Sequence, residues 1–308
     1  MDLALERASL VALLRPPGEF KWAPLRDVLL ETDVPPSVLL EEKRQSGGAF
    51  GAVDDLVEHA ARLIDQWESD GTRFLTYLDP EYPRQLREVH DLPPFVFGRG
   101  RLWPRGERER GISIVGSRSA GPDALASASL LAERLAQQGV PVVSGLAAGI
   151  DAAAHTAALR ADGRTVGIIG TGIDRYYPKS SEHLQRRIES GGGLVLSQFW
   201  PGTGPTRFNF PMRNAVMSAF SAATVIVEAS EKSGTKHQAF RAITHGRPLV
   251  IWDAVAKETS WGRKLASDPD RLDVSVVSSV DEAAQVAFDK AKPVRAVFPG
   301  IGMRAASW

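Results

Sequence analysis

The chain of 308 residues contains no cysteine, which excludes disulfides and thiolate metal ligands. We expect that its six histidines do not cluster at ligand spacing, so a metal site would consist of carboxylates alone, and we expect none. No segment approaches the run of about 18 apolar residues that suggests a membrane span. Asp2, Glu6 and Arg7 interrupt the early apolar stretch, which is unlike a secretory signal. We therefore expect a cytoplasmic protein without a membrane partner.

Neither sign of charge is in excess. The chain has 37 basic and 37 acidic residues and a formal net charge of zero. Proteins that coat nucleic acid through bulk charge usually carry a basic excess. A local groove of backbone amides and a few arginines is still compatible with zero net charge. A prediction of nucleic-acid binding must therefore rest on a particular site.

Composition and apolar spacing divide the chain into four parts. Residues 1–72 have apolar residues at helical intervals, broken by prolines and a glycine pair, and predict a small helical domain. Residues 73–110 are rich in proline and predict an extended connecting segment. Residues 111–292 predict the core, and residues 293–308, which have no periodicity, predict a flexible tail.

The core alternates short apolar runs with amphipathic segments of about ten or more residues. Strands that are apolar on both faces and separated by helices are typical of a parallel sheet covered on both sides. The predicted fold class is therefore α/β, a Rossmann-like, doubly wound, mostly parallel sheet with a small helical N-terminal domain. The predicted strands lie at 112–115, 140–144, 165–170, 193–197, 223–229, 248–253 and, at the edge, 274–277.

Glycines and hydroxyl residues follow several of these strands. In an open parallel sheet, ligands bind at the carboxyl ends of the strands. Glycines permit close approach of the backbone, and helix N-termini favour anions. A turn requirement explains a single such glycine equally well, but the coincidence of several loops predicts a phosphorylated ligand. The loop residues are Gly116, Ser117, Arg118, Ser144, Gly145, Gly149, Gly170, Thr171, Gly172, Lys179, Ser233, Gly234, Thr235 and Lys236.

Two residues of these loops have a simpler interpretation. Asp151 is expected to cap the helix that follows the second core strand. His155, one turn later among alanines, is expected to be packed rather than catalytic.

A long loop between residues 197 and 214 interleaves aromatic residues with arginines, a combination that suits stacked bases and their phosphates. We expect Phe199 and Trp200 to pack on the sheet and Phe210 to stack on a base. Arg207, Arg213 and Asn214 are the polar candidates of this loop.

Several catalytic signatures are missing from the sequence. There is no Walker lysine, no pair of carboxylates over the loops and no activated nucleophile. The run at 116–121 is not GxGxxG, and no acid is placed to hold a ribose, so nicotinamide chemistry is disfavoured. We expect no cofactor and no catalytic residue.

The loop motifs together resemble the DprA/Smf family over about residues 75–253. The resemblance implies an extended Rossmann fold, single-stranded DNA binding without sequence preference, homodimerisation and handover of DNA to the RecA recombinase in natural transformation. It implies phosphate contacts at Ser117, Arg118, the Ser144–Gly145 turn, Arg207, Arg213 and Asn214, with Phe210 against a base. The motifs are DPEYP (79–83), GSR (116–118), SGLAAGIDAAAH (144–155), GTGIDRYYP (170–178), PGTGP (201–205), FPMRN (210–214) and Ser-Gly (233–234).

The chain departs from the family pattern at two places. Ala215 stands where the family has a second arginine, and Lys236 is a possible replacement for that charge. The usual Ser-Gly-Ser-Leu-x-Thr-Ala is Ser-Gly-Thr-Lys-His-Gln-Ala at 233–239. A divergent paralogue that serves another pathway, such as defence against foreign DNA, is the alternative to a role in transformation.

Two further functions stay open. The related LOG phosphoribohydrolases carry a catalytic glutamate where this chain has Gln238, and an amide cannot act as a general acid or base. Hydrolysis is therefore disfavoured. A nucleotide-binding sensor of the SLOG type would use the same loops for a mononucleotide instead of DNA.

Overall fold

The computed structural model describes residues 2–15, 21–46, 53–102, 110–268 and 273–291. The predicted tail at 293–308 lies outside these residues. Within them, nine strands form a single sheet. The strands are β1 (Arg73–Thr76), β2 (Phe95–Gly100), β3 (Gly111–Val115), β4 (Val142–Ser144), β5 (Thr165–Ile168), β6 (Leu194–Ser197), β7 (Ser221–Ile226), β8 (Leu249–Trp252) and β9 (Val274–Val277).

Four of the described helices precede the first strand in the sequence, and later helices cover both faces of the sheet. Short 3-10 turns occur at Arg84–Glu88 and Lys179–Ser181. The described helices all lack the combination of length and apolar character that crossing a membrane requires. They are α1 (Leu3–Leu14), α2 (Trp22–Glu31), α3 (Pro36–Gln45), α4 (Val53–Ser69), α5 (Pro122–Gln137), α6 (Ile150–Arg160), α7 (Glu182–Ser190), α8 (Asn209–Phe220), α9 (Thr235–Thr244), α10 (Asp253–Glu258), α11 (Ser260–Ala266) and α12 (Val280–Ala291).

The strand order is β1-β2-β6-β5-β4-β3-β7-β8-β9. All neighbours from β6 to β9 pair in parallel, whereas β1 pairs with β2 and β2 with β6 in antiparallel fashion. The chain runs outward from β3 to β6, returns to β7 on the other side of β3, and then continues to β9. The predicted doubly wound, mostly parallel α/β fold is confirmed. Its strand order reverses between β3 and β7, where such folds bind ligands.

The segment predicted to be an extended connection takes part in the sheet. Its strands β1 and β2 add an antiparallel edge to β6, with Phe97 opposite Ser197. The proline-rich stretch gave no period-two pattern because Phe95, Val96 and Phe97 are all buried. The boundaries of the four predicted parts stay a prediction.

The N-terminal helices share one hydrophobic core with the sheet. Trp67 of α4 packs edge-on against Phe97 at 5.0 Å between ring centroids, and Trp200 lies 4.2 Å from Phe95. Phe199, the residue before Trp200, is also buried. The prediction that Phe199 and Trp200 pack on the sheet is confirmed, and it removes both rings from the set that could contact a ligand.

Two histidines come together in the fold although they are far apart in sequence. His245 at the end of α9 places Nε2 at 2.7 Å from Asp91 Oδ1 and Nδ1 at 3.0 Å from Ser218 Oγ. The ligand atoms of His90, Asp91 and His245 all lie within 4.8 Å of one another. The statement that the histidines do not cluster is therefore wrong for this pair. Arg241 also binds Asp91, at 3.2 Å, so this group ties the 73–110 segment to α9.

Candidate functional site

A cleft of about 540 Å³ opens at the carboxyl edge of the sheet, beside the reversal between β3 and β7. This volume lies in the range of small-molecule sites in proteins. Three segments form its walls: the loop after β3, the first turns of α8, and the loop that leads from β7 into α9. The predicted residues in its lining are Gly116, Ser117, Arg118, Phe210, Arg213, Asn214, Ser233, Gly234 and Thr235.

A smaller pocket of about 140 Å³ adjoins this cleft. Arg118, Phe210 and Arg213 line both spaces, so the two are parts of one groove. The predicted residue Gly145 joins the lining here, together with Tyr177 and Pro178. A ligand that extends along the groove would pass between the two arginines.

Arg213 is buried and holds the floor of the groove together. Its Nη1 donates to the carbonyl oxygens of Gly145 at 2.5 Å and Ile168 at 2.8 Å, which fixes the loop after β4 against the end of β5. Burial lowers the pKa of Arg213, and the nearby charge of Asp151 offsets part of that effect. Its Nε has no hydrogen-bond partner among the described residues. Arg213 therefore has a structural role beside the predicted contact with phosphate.

Asp151 differs from the sequence interpretation. Its carboxylate accepts the backbone N–H groups of Gly145 at 3.0 Å and Ala147 at 3.4 Å, whereas Gly149 occupies the cap position of α6. The expectation that Asp151 caps the helix is wrong. Burial raises the pKa of Asp151, and the charge of Arg213 counters that rise. The Asp151 carboxylate therefore stabilises the conformation of the loop after β4.

Arg118 is exposed at the rim. Its guanidinium carbon lies 5.6 Å from the centroid of the Phe210 ring, a cation–π distance. Within the described part of the chain no carboxylate lies within ion-pair distance of it, and its charge lowers the pKa of Arg213. Two positive groups that repel each other across a groove favour an anion between them.

Phe210 presents an aromatic face to the same groove. Its ring lies 5.6 Å from the Tyr177 ring, and both rings line the smaller pocket. A Cβ at Gly170 would come within 3.0 Å of the Phe210 ring. Gly170 therefore supports the groove indirectly, because it leaves space for the Phe210 ring.

The loop after β7 carries the hydroxyl groups of the opposite wall. Ser233 Oγ accepts the N–H of Thr235 at 3.2 Å, and Thr235 Oγ1 donates to the Gly116 carbonyl at 3.2 Å. These bonds tie the start of α9 to the loop after β3. The N-terminus of α9 opens on the cleft, and the dipole of this helix favours a negative group there.

Several predicted residues lie outside both spaces, and the packing explains most of them. Ser144 Oγ donates to the Ile114 carbonyl, and a Cβ at Gly149 would lie 2.2 Å from the Ser117 carbonyl, so both support the loops from behind. Lys179 pairs with Glu182 at 2.5 Å, and Arg207 lies 4.8 Å from the Phe208 ring. The residues outside the groove are Ser144, Gly149, Gly170, Thr171, Gly172, Lys179, Arg207 and Lys236.

Sequence reasoning missed other residues in the lining. Tyr177 was part of a quoted motif, but nothing in the sequence showed that it meets Phe210. Met217 and Gln238 lie one turn or less beyond predicted residues on α8 and α9. His155, in contrast, is buried as expected, with Nδ1 2.7 Å from Thr165 Oγ1 and a pKa that burial lowers to about 3.

Comparisons with known proteins show similarity to proteins that are named for DNA processing. The sequence model of the family described as DNA recombination-mediator protein A matches residues 73–267. DNA processing protein DprA of Streptococcus pneumoniae is 38% identical over 176 residues, which are 56% of this chain and 60% of that protein. The putative DNA processing protein DprA of Mycobacterium tuberculosis H37Rv is 35% identical over 266 residues, covering 78% of this chain and 68% of that protein.

The alignment with protein Smf of Synechocystis, at 38% identity, spans 44% of that relative. The chain thus matches about half of the length of Synechocystis Smf and of Streptococcus pneumoniae DprA. Among solved structures, DprA of Streptococcus pneumoniae superposes with a TM-score of 0.67 at 28% identity, over 92% of this chain and 95% of that one. Helicobacter pylori DNA processing protein A, described for its single-stranded DNA binding mode, shares the fold with a TM-score of 0.60 at 22% identity, over 70% and 96%.

Proposed function

The chain belongs to the family of DNA recombination-mediator protein A, and we propose that it binds single-stranded DNA without sequence preference in the groove between β3 and β7. The observation that carries this proposal is the meeting of Arg118, Arg213 and the Phe210 ring in one groove. The names of its relatives point to DNA processing, and one structural relative is described as binding single-stranded DNA.

The groove offers partners for both parts of a nucleotide. Arg118 and the hydroxyl group of Ser117 suit phosphates, and the dipole of α9 favours negative charge beside them. The faces of Phe210 and Tyr177 suit stacked bases, and stacking tolerates every base because each has a π-face. This combination explains binding without sequence preference.

A binding role fits the groove better than hydrolysis. Among the residues that the structure describes, Asp151 is the only carboxylate in the lining of the larger cleft, and it is engaged by the backbone amides of its own loop. Gln238 occupies the position at which a LOG-type hydrolase would need a carboxylate. The proposal is therefore a non-catalytic protein of the cytoplasm that requires no cofactor.

Two partners follow from the family resemblance. We propose that the protein acts as a homodimer and passes its DNA to the RecA recombinase in recombination, in transformation or in another pathway. Chromatography with light scattering measures the first point, and co-precipitation of purified RecA with the DNA-bound protein measures the second. A monomer that retains no RecA would contradict this part of the proposal without affecting DNA binding.

The affinity for a labelled oligo-dT of about 12 nucleotides tests the main proposal. With few cations in the groove and a net charge of zero, we expect about two or three phosphate contacts and a slope of log K against log salt of roughly −1.5 to −2. Fluorescence anisotropy at several salt concentrations gives this slope.

Mononucleotides serve as the competitor in the same titration. Tight binding of a mononucleotide together with no binding of the oligo-dT would contradict DNA binding and favour the nucleotide sensor. Release of a free base would instead show hydrolysis.

A further inference from the structure

Gln238 has an unsatisfied amide at the inner wall of the cleft. The residue is 1% exposed, and its Oε1 has no hydrogen-bond partner among the described residues. Its Nε2 donates to Thr224 Oγ1 at 3.3 Å, which is a long bond. A buried carbonyl oxygen without a partner destabilises the empty protein, because it has lost water and gained nothing. Such an atom in the lining of a cleft is available to a ligand.

The cleft that Gln238 lines has both apolar and polar residues in its walls. Val115 at the end of β3 and Met217 on α8 are both buried and line the same cleft. The phosphate partners, in contrast, lie on the loops at Ser117, Arg118 and Gly234. A phosphate carries no hydrogen-bond donor at neutral pH, so it is a poor partner for the free oxygen of Gln238, whereas the N–H groups at the edge of a nucleobase can donate to that oxygen.

We propose that the part of the cleft beside Gln238 takes one nucleobase of the bound strand, whose edge donates a hydrogen bond to the Oε1 atom of the Gln238 amide. This inference rests on the proposed function of the groove. Single-stranded nucleic acids are commonly recognised through splayed bases that bond along their Watson–Crick edges. The terminal torsion of glutamine is soft, so the amide turns toward the donor that enters.

The proposal is compatible with binding that ignores sequence. Adenine and cytosine present an amino group, guanine an amino and an imino N–H, and thymine an imino N–H, so each base has a donor for one acceptor. Gln238 also stands where the resembling family has threonine. The longer side chain brings its amide further from the α9 backbone than a threonine hydroxyl would reach.

Gln238→Met tests the hydrogen bond, because methionine keeps the length and apolar volume of the side chain and removes both amide groups. Two ligands separate the base from the backbone: the oligo-dT, and an abasic phosphodiester of equal length. We expect the variant to bind the oligo-dT about 3- to 10-fold more weakly and the abasic strand as tightly as wild type. Gln137→Met on exposed α5 is the matched control, with unchanged affinity for both.

Three outcomes decide the matter. Equal affinity of Gln238→Met and wild type for the oligo-dT would overturn the proposal and show that water or no ligand meets this amide. An equal loss for the abasic strand would overturn it too, because the effect would then act through the shape of the groove. If wild type fails to bind the oligo-dT at all, the proposed function itself falls. Melting temperatures confirm folding, and Gln238→Thr replaces the methionine variant if that variant does not fold.

Discussion

Gly145→Ala is expected to destabilise the protein by about 3–5 kcal/mol and to abolish measurable binding of the oligo-dT. A Cβ at this position would lie 1.7 Å from Arg213 Nη1 and 2.4 Å from its Cζ, so the guanidinium must leave its place. Its hydrogen bonds to the Gly145 and Ile168 carbonyls are then lost, and Asp151 loses a compensating charge in a buried site. Thermal unfolding with a drop in Tm above about 6 °C checks this result.

Gly204→Ala is the matched control for this substitution. Gly204 belongs to the loop before α8, and a Cβ there would meet nothing within 4 Å. The same added methyl should change the stability by less than about 0.5 kcal/mol. The double variant Gly145→Ala/Arg213→Met should cost less than the sum of its single changes, because the clash is gone. Additive costs would contradict the role assigned to Arg213.

Arg118→Ala is expected to weaken binding of the oligo-dT by about tenfold or more at low salt without changing the Tm. The side chain is exposed and has no carboxylate to pair with in the described structure, so its loss leaves the fold intact. The same substitution should make the salt slope shallower by about 0.7, the share of one phosphate contact. Anisotropy titrations at three salt concentrations give both quantities.

Arg160→Ala controls for the loss of one positive charge. Arg160 is exposed in the last turn of α6, and its helix begins at the groove, so the residue lies at the opposite edge of the sheet. Its removal should leave the affinity within about twofold, because screening limits the reach of an exposed charge. Equal losses for the two arginine variants would mean that the DNA responds to overall charge and that the groove is not the site.

The core of the fold was predictable because parallel strands buried on both faces leave a simple signal. The apolar runs at β3, β5, β7 and β8 stand out from the amphipathic helices between them, and even the weaker β9 was expected. The antiparallel edge was not predicted as part of the sheet. Residues 95–97 are consecutive buried residues next to two prolines, and such a stretch reads equally well as an extended connection.

The sequence predicted which edge of the sheet carries the site, but it predicted much less of how the site residues are arranged there. Topology brings the loops after β3 and β7 together, and therefore Ser117, Arg118, Gly234 and Thr235 met as expected. Sequence could not separate glycines that contact a ligand from glycines that make room for a neighbour, as Gly149 and Gly170 do. The two kinds of glycine differ in which neighbouring atom a Cβ at that position would contact, and this is known only from the structure.

Side-chain contacts between residues that are far apart in the sequence leave no local pattern from which they could be predicted. Asp151 looked like a helix cap because an acid in the first turn is the common signal for one. Its bonds to the Gly145 and Ala147 amides depend on how the loop after β4 folds back over α6. The contact of His245 with Asp91 likewise joins residues 154 positions apart.

The location of the DNA tests the account most directly. An oligo-dT in which 5-iodouracil replaces thymine cross-links on irradiation to aromatic rings against its bases, and mass spectrometry of the digested protein identifies the residue. The account predicts adducts on Phe210 or Tyr177, whose rings line the groove with Arg118, and their loss in Arg118→Ala. Adducts confined to α1–α4 or to Phe240 on the outer face of α9, with none at the groove, would contradict it.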